Sequence, residues 1–266
     1  MDLELEGRRA MVTGGSRGIG KAIARVLAAE GCDVVVAARG RDDLEATAAE
    51  LHEETGRRIV ALVMDSGDDE SVAAAVQAAT EKLGGIDILV NNAAVPMGQA
   101  TPPKLADITT DAFWADVNVK VMGYIRTAQA VAPQMVERGW GRIVNVSGLG
   151  ARTTGSVVGS ARNVSVAAVT KNLADELGPH GVNVTVVHPG LTRTERTDDV
   201  VAAVAERSGQ TPEEVEASLA SRSTVQRLVD AEEVAWVVAF LASPKASSIT
   251  GDAIACGGGQ PGAIHY

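Results

Sequence analysis

Aromatic side chains are nearly missing from this chain: its 266 residues include two Phe, two Tyr and three Trp, 3% of the total. The core must therefore be built from Ala, Val, Ile and Leu, which pack densely without polar atoms to satisfy. Cysteine is scarcer still. Cys32 and Cys256 stand far apart in apolar segments, which excludes a disulfide framework and a thiolate metal cluster and fits buried thiols in a reducing cytoplasm. Four scattered His residues offer no metal-ligand spacing. Basic charge is in deficit: 24 Lys and Arg against 34 Asp and Glu leave a formal charge of −10, the wrong sign for a nucleic-acid partner. No apolar run approaches the ~20 residues that span a bilayer, and the opening M-D-L-E-L-E-G-R-R lacks the apolar stretch of a signal peptide. The expectation is a soluble cytoplasmic protein that binds neither nucleic acid nor membrane. It has length enough to bury a large core without staples.

What is present is alternation. Short β-branched runs predict strands over 9–13, 33–38, 59–64, 86–91, 142–146, 182–187 and 253–256. Helical spacing predicts helices over 18–30, 42–55, 69–83, 111–136 and 158–177, and a further helix begins at Asp230, where Glu233 completes a capping box. Strands that alternate with helices require right-handed crossovers and a parallel sheet covered on both faces. The predicted fold is α/β: a single doubly wound, Rossmann-type parallel sheet with helices on both faces, one domain over residues 1–266. The segment 191–226, rich in Thr, Arg, Glu and Ser, breaks the rhythm, and Thr211-Pro-Glu-Glu214 starts a helix within it. Ligands of doubly wound sheets bind beyond the carboxyl ends of the strands. This insertion is therefore placed to act as a lid, the alternative being a plain surface excursion.

The stretch Thr13-Gly-Gly-Ser-Arg-Gly-Ile-Gly20 follows the first strand and opens the first helix. Gly14 permits the tight turn, Gly18 lets a pyrophosphate approach the backbone, and Gly20 lets helix and strand pack closely. Free N–H groups and the positive helix end then favour phosphate. After the second strand, where a carboxylate would select an unphosphorylated ribose, stand Ala38-Arg39-Gly40-Arg41, and Arg17 lies in the glycine turn. Guanidinium groups match a phosphate bidentately, so NADP(H) is expected over NAD(H).

Over essentially its whole length the chain resembles the short-chain dehydrogenase/reductase family. The motifs that carry the likeness are the T-G-x-x-x-G-x-G turn at 13–20, Asp65-Ser66, N-N-A-A at 91–94, Asn118 in N-V-K-V-M-G, R-I-V-N-V-S in the fifth strand, Pro189-Gly190 with Thr192 and Thr194, and T-G-D-A-I-A-C-G-G-G at 250–259. The resemblance implies cofactor contacts from Gly14, Ser16, Arg17, Gly18, Ile19, Gly20, Arg39, Asp65, Ser66, Asn91, Ala93, Pro189, Gly190, Thr192 and Thr194. It implies a small-molecule carbonyl or alcohol substrate, and a homodimer or homotetramer built on the two long helices. Val164, Ala167 and Ala168 permit close helix packing there, although that face could equally cover the chain's own sheet.

The family's chemistry uses Ser, Tyr and Lys, aided by Asn. Asn118 matches the Asn. The other slots are altered: Gly159 and Asn163 stand where the likeness places Tyr and Lys, and Ser147-Gly148 sets the serine one place early. A positioned general acid is worth about 10²–10⁴ in rate, so an efficient enzyme needs a replacement. Tyr124 reads as core packing. Tyr266 beside His265 could reach a neighbour's site, and His188 could titrate or simply pack. Arg152 and Arg162 cannot release a proton, and Lys171 lies two turns too far along its helix. Three readings stay open: an NADP(H)-dependent oxidoreductase with altered proton handling, a non-redox enzyme such as a cyclase, lyase or isomerase, and a non-catalytic subunit paired with an active relative.

Overall fold

The structure, a computed structural model, describes residues 1–95, 102–262 and 264; His265 and Tyr266 lie outside the described residues. Seven strands form one parallel sheet: β1 (Arg9–Thr13), β2 (Asp33–Ala38), β3 (Ile59–Val63), β4 (Ile88–Asn91), β5 (Gly141–Val146), β6 (Val182–Pro189) and β9 (Ala253–Cys256), in the order β3-β2-β1-β4-β5-β6-β9. The order reverses between β1 and β4, and that crevice is where such sheets hold ligands. The central strands are buried on both faces, as their continuous apolar runs predict.

One face carries α1 (Gly18–Ala29), α2 (Arg41–Thr55) and α9 (Ala231–Ala242), packed through Ile23, Leu27, Leu44, Val234 and Val238. The other carries α3 (Asp69–Leu83), α4 (Thr110–Val117), α5 (Gly123–Arg138) and α6 (Val157–Leu177), with Val72, Val76, Val131, Met135 and Leu177 in the core. The capping box of Asp230 and Glu233 forms as expected. Val164 and Ala168 are exposed on α6 and point away from its own sheet, whereas Ala167 packs against the buried cluster of Val121, Tyr124, Val166 and Val186. Among the described residues, no helix is long and apolar enough to cross a membrane.

Two departures from the sequence reading bear on function. The helix predicted over 111–136 is interrupted: a π-turn at Asn118–Met122 separates α4 from α5. A π-turn leaves apolar spacing on either side nearly intact, so periodicity does not show it. The segment predicted as one helix with irregular flanks holds two, α7 (Thr197–Ser208) and α8 (Pro212–Ala220), the second started by the Thr211–Glu214 capping box. They share a small core of Val201, Ala205 and Val215. A two-stranded ribbon, β7 (Thr192–Arg193) with β8 (Val229–Asp230), ties the base of this insertion together.

Candidate active site

The glycine turn joins β1 to α1 and is held from three sides. Thr47 Oγ1 of α2 donates to Ser16 O at 2.8 Å. Asn92 Nδ2 donates to Gly14 O at 3.1 Å and to Thr13 O at 3.3 Å. Thr13 Oγ1 accepts the N–H groups of Asn92 and Ala93, both at 3.0 Å. A Cβ on Gly20 would collide with Gly14 O, so the close approach of helix and strand admits only glycine there. Gly18 has φ +57°, a left-handed conformation that also favours glycine. The first N–H groups of α1 have no partner inside the helix. One of them, on Gly18, donates to the Glu195 carboxylate at 2.8 Å. An anion on this N–H shows that the cradle suits a negatively charged oxygen.

Beside the turn lies a cleft of about 590 Å³, lined among others by Gly14, Ser16, Arg17, Ile19, Arg39, Asp65, Ser66, Asn92, Ala93 and Thr194. Arg17 and Arg39 are exposed at its rim and, among the described residues, form no ion pair, whereas Arg41 pairs with Glu45. Asp65 Oδ1 accepts from Gly67 N, which shapes the turn under the cleft. The insertion reaches the same place: Thr194 lines the cleft, and its methyl carbon lies 3.6 Å from the position of a Cβ on Gly18. Thr192 Oγ1 donates to Gly190 O and holds the segment after Pro189 in its bend. Asn91 is placed differently. It is fully buried and commits its amide to Asn145 Oδ1, Tyr124 O and the Thr127 hydroxyl, so its neighbour Asn92 is the one that lines the cleft.

Lys120, Ser147, Gly148 and His188 meet around the ends of β5 and β6. Asn118 does not reach these strand ends: its Nδ2 donates to Gly67 O at 2.9 Å and its Oδ1 accepts from Arg126. Residues two apart on a helix face nearly opposite sides, and the side facing β5 belongs to Lys120, whose Nζ donates to Ser147 O at 2.9 Å. The Ser147 hydroxyl turns to α6 and donates to Asn163 O at 3.1 Å, while Gly148 N donates to His188 Nδ1 at 3.4 Å. A Cβ on Gly159 would meet Ser156 Oγ at 2.9 Å, with Arg162 next beyond it. Arg162 pairs with both Asp116 oxygens at 2.7 and 2.8 Å, deep in the protein.

Burial, with Arg162 adding to it and Asp116 opposing, brings the Lys120 ammonium down to about 7. Burial, then Arg152 and Lys120, bring His188 down to about 4. Burial drives the Tyr124 phenol far up, and its OH is committed to Val146 O. Sequence reasoning missed Lys120, Asp116, Asn92 and Glu195. A signal for the first existed: one lysine among Val117, Val119 and Val121, four residues after an aspartate, which sets both on one face of a helix.

A glycine-turn cradle at the crevice of a doubly wound sheet, with an insertion beside it, defines a dinucleotide-binding protein. The sequence profile of the family described as enoyl-(acyl carrier protein) reductase matches residues 14–260. The chain is 37% identical over 254 residues to the short-chain reductase protein NovJ of Streptomyces niveus, covering 95% of this chain and 93% of that protein. It is 35% identical over 269 residues to the 3-oxoacyl-(acyl-carrier-protein) reductase FabG of Vibrio cholerae serotype O1, covering 97% and 99%. The crystal structure of L-sorbose reductase from Gluconobacter frateurii, complexed with NADPH and L-sorbose, superposes with a TM-score of 0.92 at 28% identity over 99% of this chain and 100% of that one. The chain belongs to the short-chain dehydrogenase/reductase family.

Proposed function

We propose that this protein is an NADP(H)-dependent oxidoreductase interconverting a small carbonyl compound and its alcohol, with proton handling unlike the family's usual arrangement. The observation that carries the reading is the cleft itself: a turn whose Gly20 admits no side chain, at the N–H end of α1, with Arg17 and Arg39 at its rim and in no ion pair among the described residues. Relatives and structural neighbours point the same way, among them an NADPH-dependent reductase of Bacillus subtilis at 31% identity. A protein without use for a phosphorylated dinucleotide has little need of Arg17 and Arg39 together at that rim.

In this reading the N–H groups at the start of α1 hold the pyrophosphate, and Arg17, Arg39 and Ser16 hold the ribose phosphate. Asp65 and Ser66 border the adenine, and Pro189, Gly190, Thr192 and Thr194 the nicotinamide end. Ala93 lines the cleft between them. Bound NADPH supplies the two-electron reducing equivalent. The chain orients the substrate over the ends of β5 and β6, and the lid excludes water. The outward face of α6, with Val164 and Ala168, joined by exposed Trp114 on α4, supports self-association into a cytoplasmic homodimer or homotetramer. Residues 1–266 act as one unit in it.

The test is a calorimetric titration with NADPH and with NADH, repeated on Arg39→Ala. Expected is NADPH-selective binding that weakens about 10- to 100-fold in the variant, the worth of a lost charge-assisted contact, with NADH little changed. Equal affinity for the two dinucleotides would refute the NADP(H) assignment. Tight binding without oxidation or reduction of any of a panel of ketones and alcohols would favour the non-redox or partner-subunit readings.

A further inference from the structure

We infer that Lys120 is the proton-handling side chain of this site, giving a proton from Nζ to the oxygen of a carbonyl substrate and taking it back when the alcohol is oxidised. The inference rests on the NADP(H)-dependent reading and supplies the group that reading lacks.

Lys120 stands on the π-turn between α4 and α5, a distortion found often at functional sites. It is 4% exposed, and its Nζ bonds Ser147 O just past the carboxyl end of β5, the side on which such sheets hold their ligands.

Hydrogen-bonding capacity is left over at the same place. A lysine ammonium has three donors, and Ser147 O takes one. On α6, Asn163 Oδ1 and Arg162 Nε are buried without a hydrogen-bond partner among the described residues. Ser147 joins the two sides, its carbonyl on Lys120 and its hydroxyl on Asn163 O. Buried polar atoms are costly to leave unpaired. A polar ligand completes the cluster: a carbonyl or hydroxyl oxygen at Lys120, and a hydroxyl donating to Asn163 Oδ1.

The charged and titratable groups that face Lys120 are Arg162 from α6 and Asp116 from α4. Among the described residues His188 from β6, which both Lys120 and Arg152 influence, and Tyr124 from α5, whose OH donates to Val146 O next to Ser147, lie on the same side. Arginine does not release a proton at neutral pH. Tyr124 is spent on Val146 O, and His188 is already neutral. Lys120, brought down to about 7 by burial, holds and loses a proton in the range where a general acid works best.

In the reducing direction the new C–H bond and its electron pair come from NADPH. One Nζ–H bond breaks, the carbonyl oxygen gains the O–H, and Lys120 is left as the amine until solvent restores it. The sum is carbonyl, NADPH and one proton to alcohol and NADP⁺.

Protein carrying ¹³C at the lysine ε-carbons has six such groups, and Lys120→Met identifies the one in question. The expected Lys120 midpoint is near 7. It should move further down with saturating NADP⁺, whose ring brings a further cation into the site. A midpoint above about 9, near the ordinary lysine value, or one indifferent to NADP⁺, overturns the inference. For cyclohexanone, acetophenone or ethyl acetoacetate, reduction should slow as pH rises through that midpoint. Both Lys120→Met and Lys120→Arg should lose about 10²–10⁴-fold in kcat with NADPH affinity kept, and methylamine should restore part of the loss in Lys120→Met. Undiminished kcat in a folded variant, or a flat pH profile, overturns it. Failure of the wild-type protein to bind NADPH sinks the underlying reading, whereas tight binding with an unmoved Lys120 sinks this inference alone.

Discussion

The Glu195 carboxylate accepts the Gly18 N–H at 2.8 Å, so an acid from the insertion already occupies a donor at the start of α1. A dinucleotide phosphate that takes this N–H must displace Glu195, and the two anions repel as they exchange. Glu195→Ala should therefore tighten NADPH binding. The exposed bond is worth about 0.5–1.5 kcal/mol, or roughly 2- to 10-fold in affinity. Calorimetry checks it, and weaker binding in the variant would mean that Glu195 assists the cofactor instead.

Arg162 and Asp116 form the most enclosed ion pair of the site, with side chains 10% and 5% exposed. Removing one partner leaves a buried charge without compensation, which costs about 3–5 kcal/mol. Asp116→Asn should show that loss in chemical denaturation. The double replacement Arg162→Met plus Asp116→Leu should recover most of it, because no orphaned charge remains. A double variant no more stable than Asp116→Asn would count against this account of the pair.

His188 sets a pH dependence whose sign is fixed by its burial. Its folded value is brought down to about 4, while the unfolded chain titrates near 6.5. Between these values the unfolded state binds the extra proton, so stability is full above about 6.5 and falls as pH drops toward 4, by at most about 1.4 kcal/mol per unit. Because Nδ1 accepts from Gly148 N, the neutral ring carries its proton on Nε2. Urea midpoints measured from pH 7 to 4 should show this slope in the wild type and lose it in His188→Gln. An identical slope in both proteins would assign it to other groups.

The sheet and the cradle were legible in the sequence because both are local. Buried parallel strands write themselves as V-V-V-A-A, and a glycine turn between strand and helix has few other uses. The end of the sheet that carries Ser147 and Lys120 was not legible, since it depends on which way side chains turn across three elements. Asn118 and Lys120 are two positions apart, and only the π-turn with its packing on β5 decides that the lysine faces Ser147. Asn91 and Asn92 pose the same difficulty: the period of the strand end puts one into the core and the other into the cleft. The insertion was visible in the sequence, but its ribbon pairs β7 with β8 across more than thirty residues, a non-local contact that no short pattern encodes.

The slots at Gly159 and Asn163 are not open space. A Cβ at 159 meets Ser156 Oγ at 2.9 Å and Ser156 Cβ at 3.2 Å, and Asn163 Nδ2 lies 2.9 Å from the place of a Cβ on Gly150. Restoring the family pair by Gly159→Tyr and Asn163→Lys alone should therefore misplace the phenol and gain little. Adding Ser156→Gly clears the first contact, and glycine replaces a serine cap at a cost of only a few tenths of a kcal/mol. This triple variant should reduce simple ketones about 10- to 100-fold faster than the double, toward the range of a positioned general acid. In that background Lys120→Met should matter far less than in the wild type, because the phenol has taken over the proton. NADPH consumption followed alongside thermal melting separates the outcomes. A folded, NADPH-binding triple variant with no gain would show that more than these side chains distinguishes the site from its relatives.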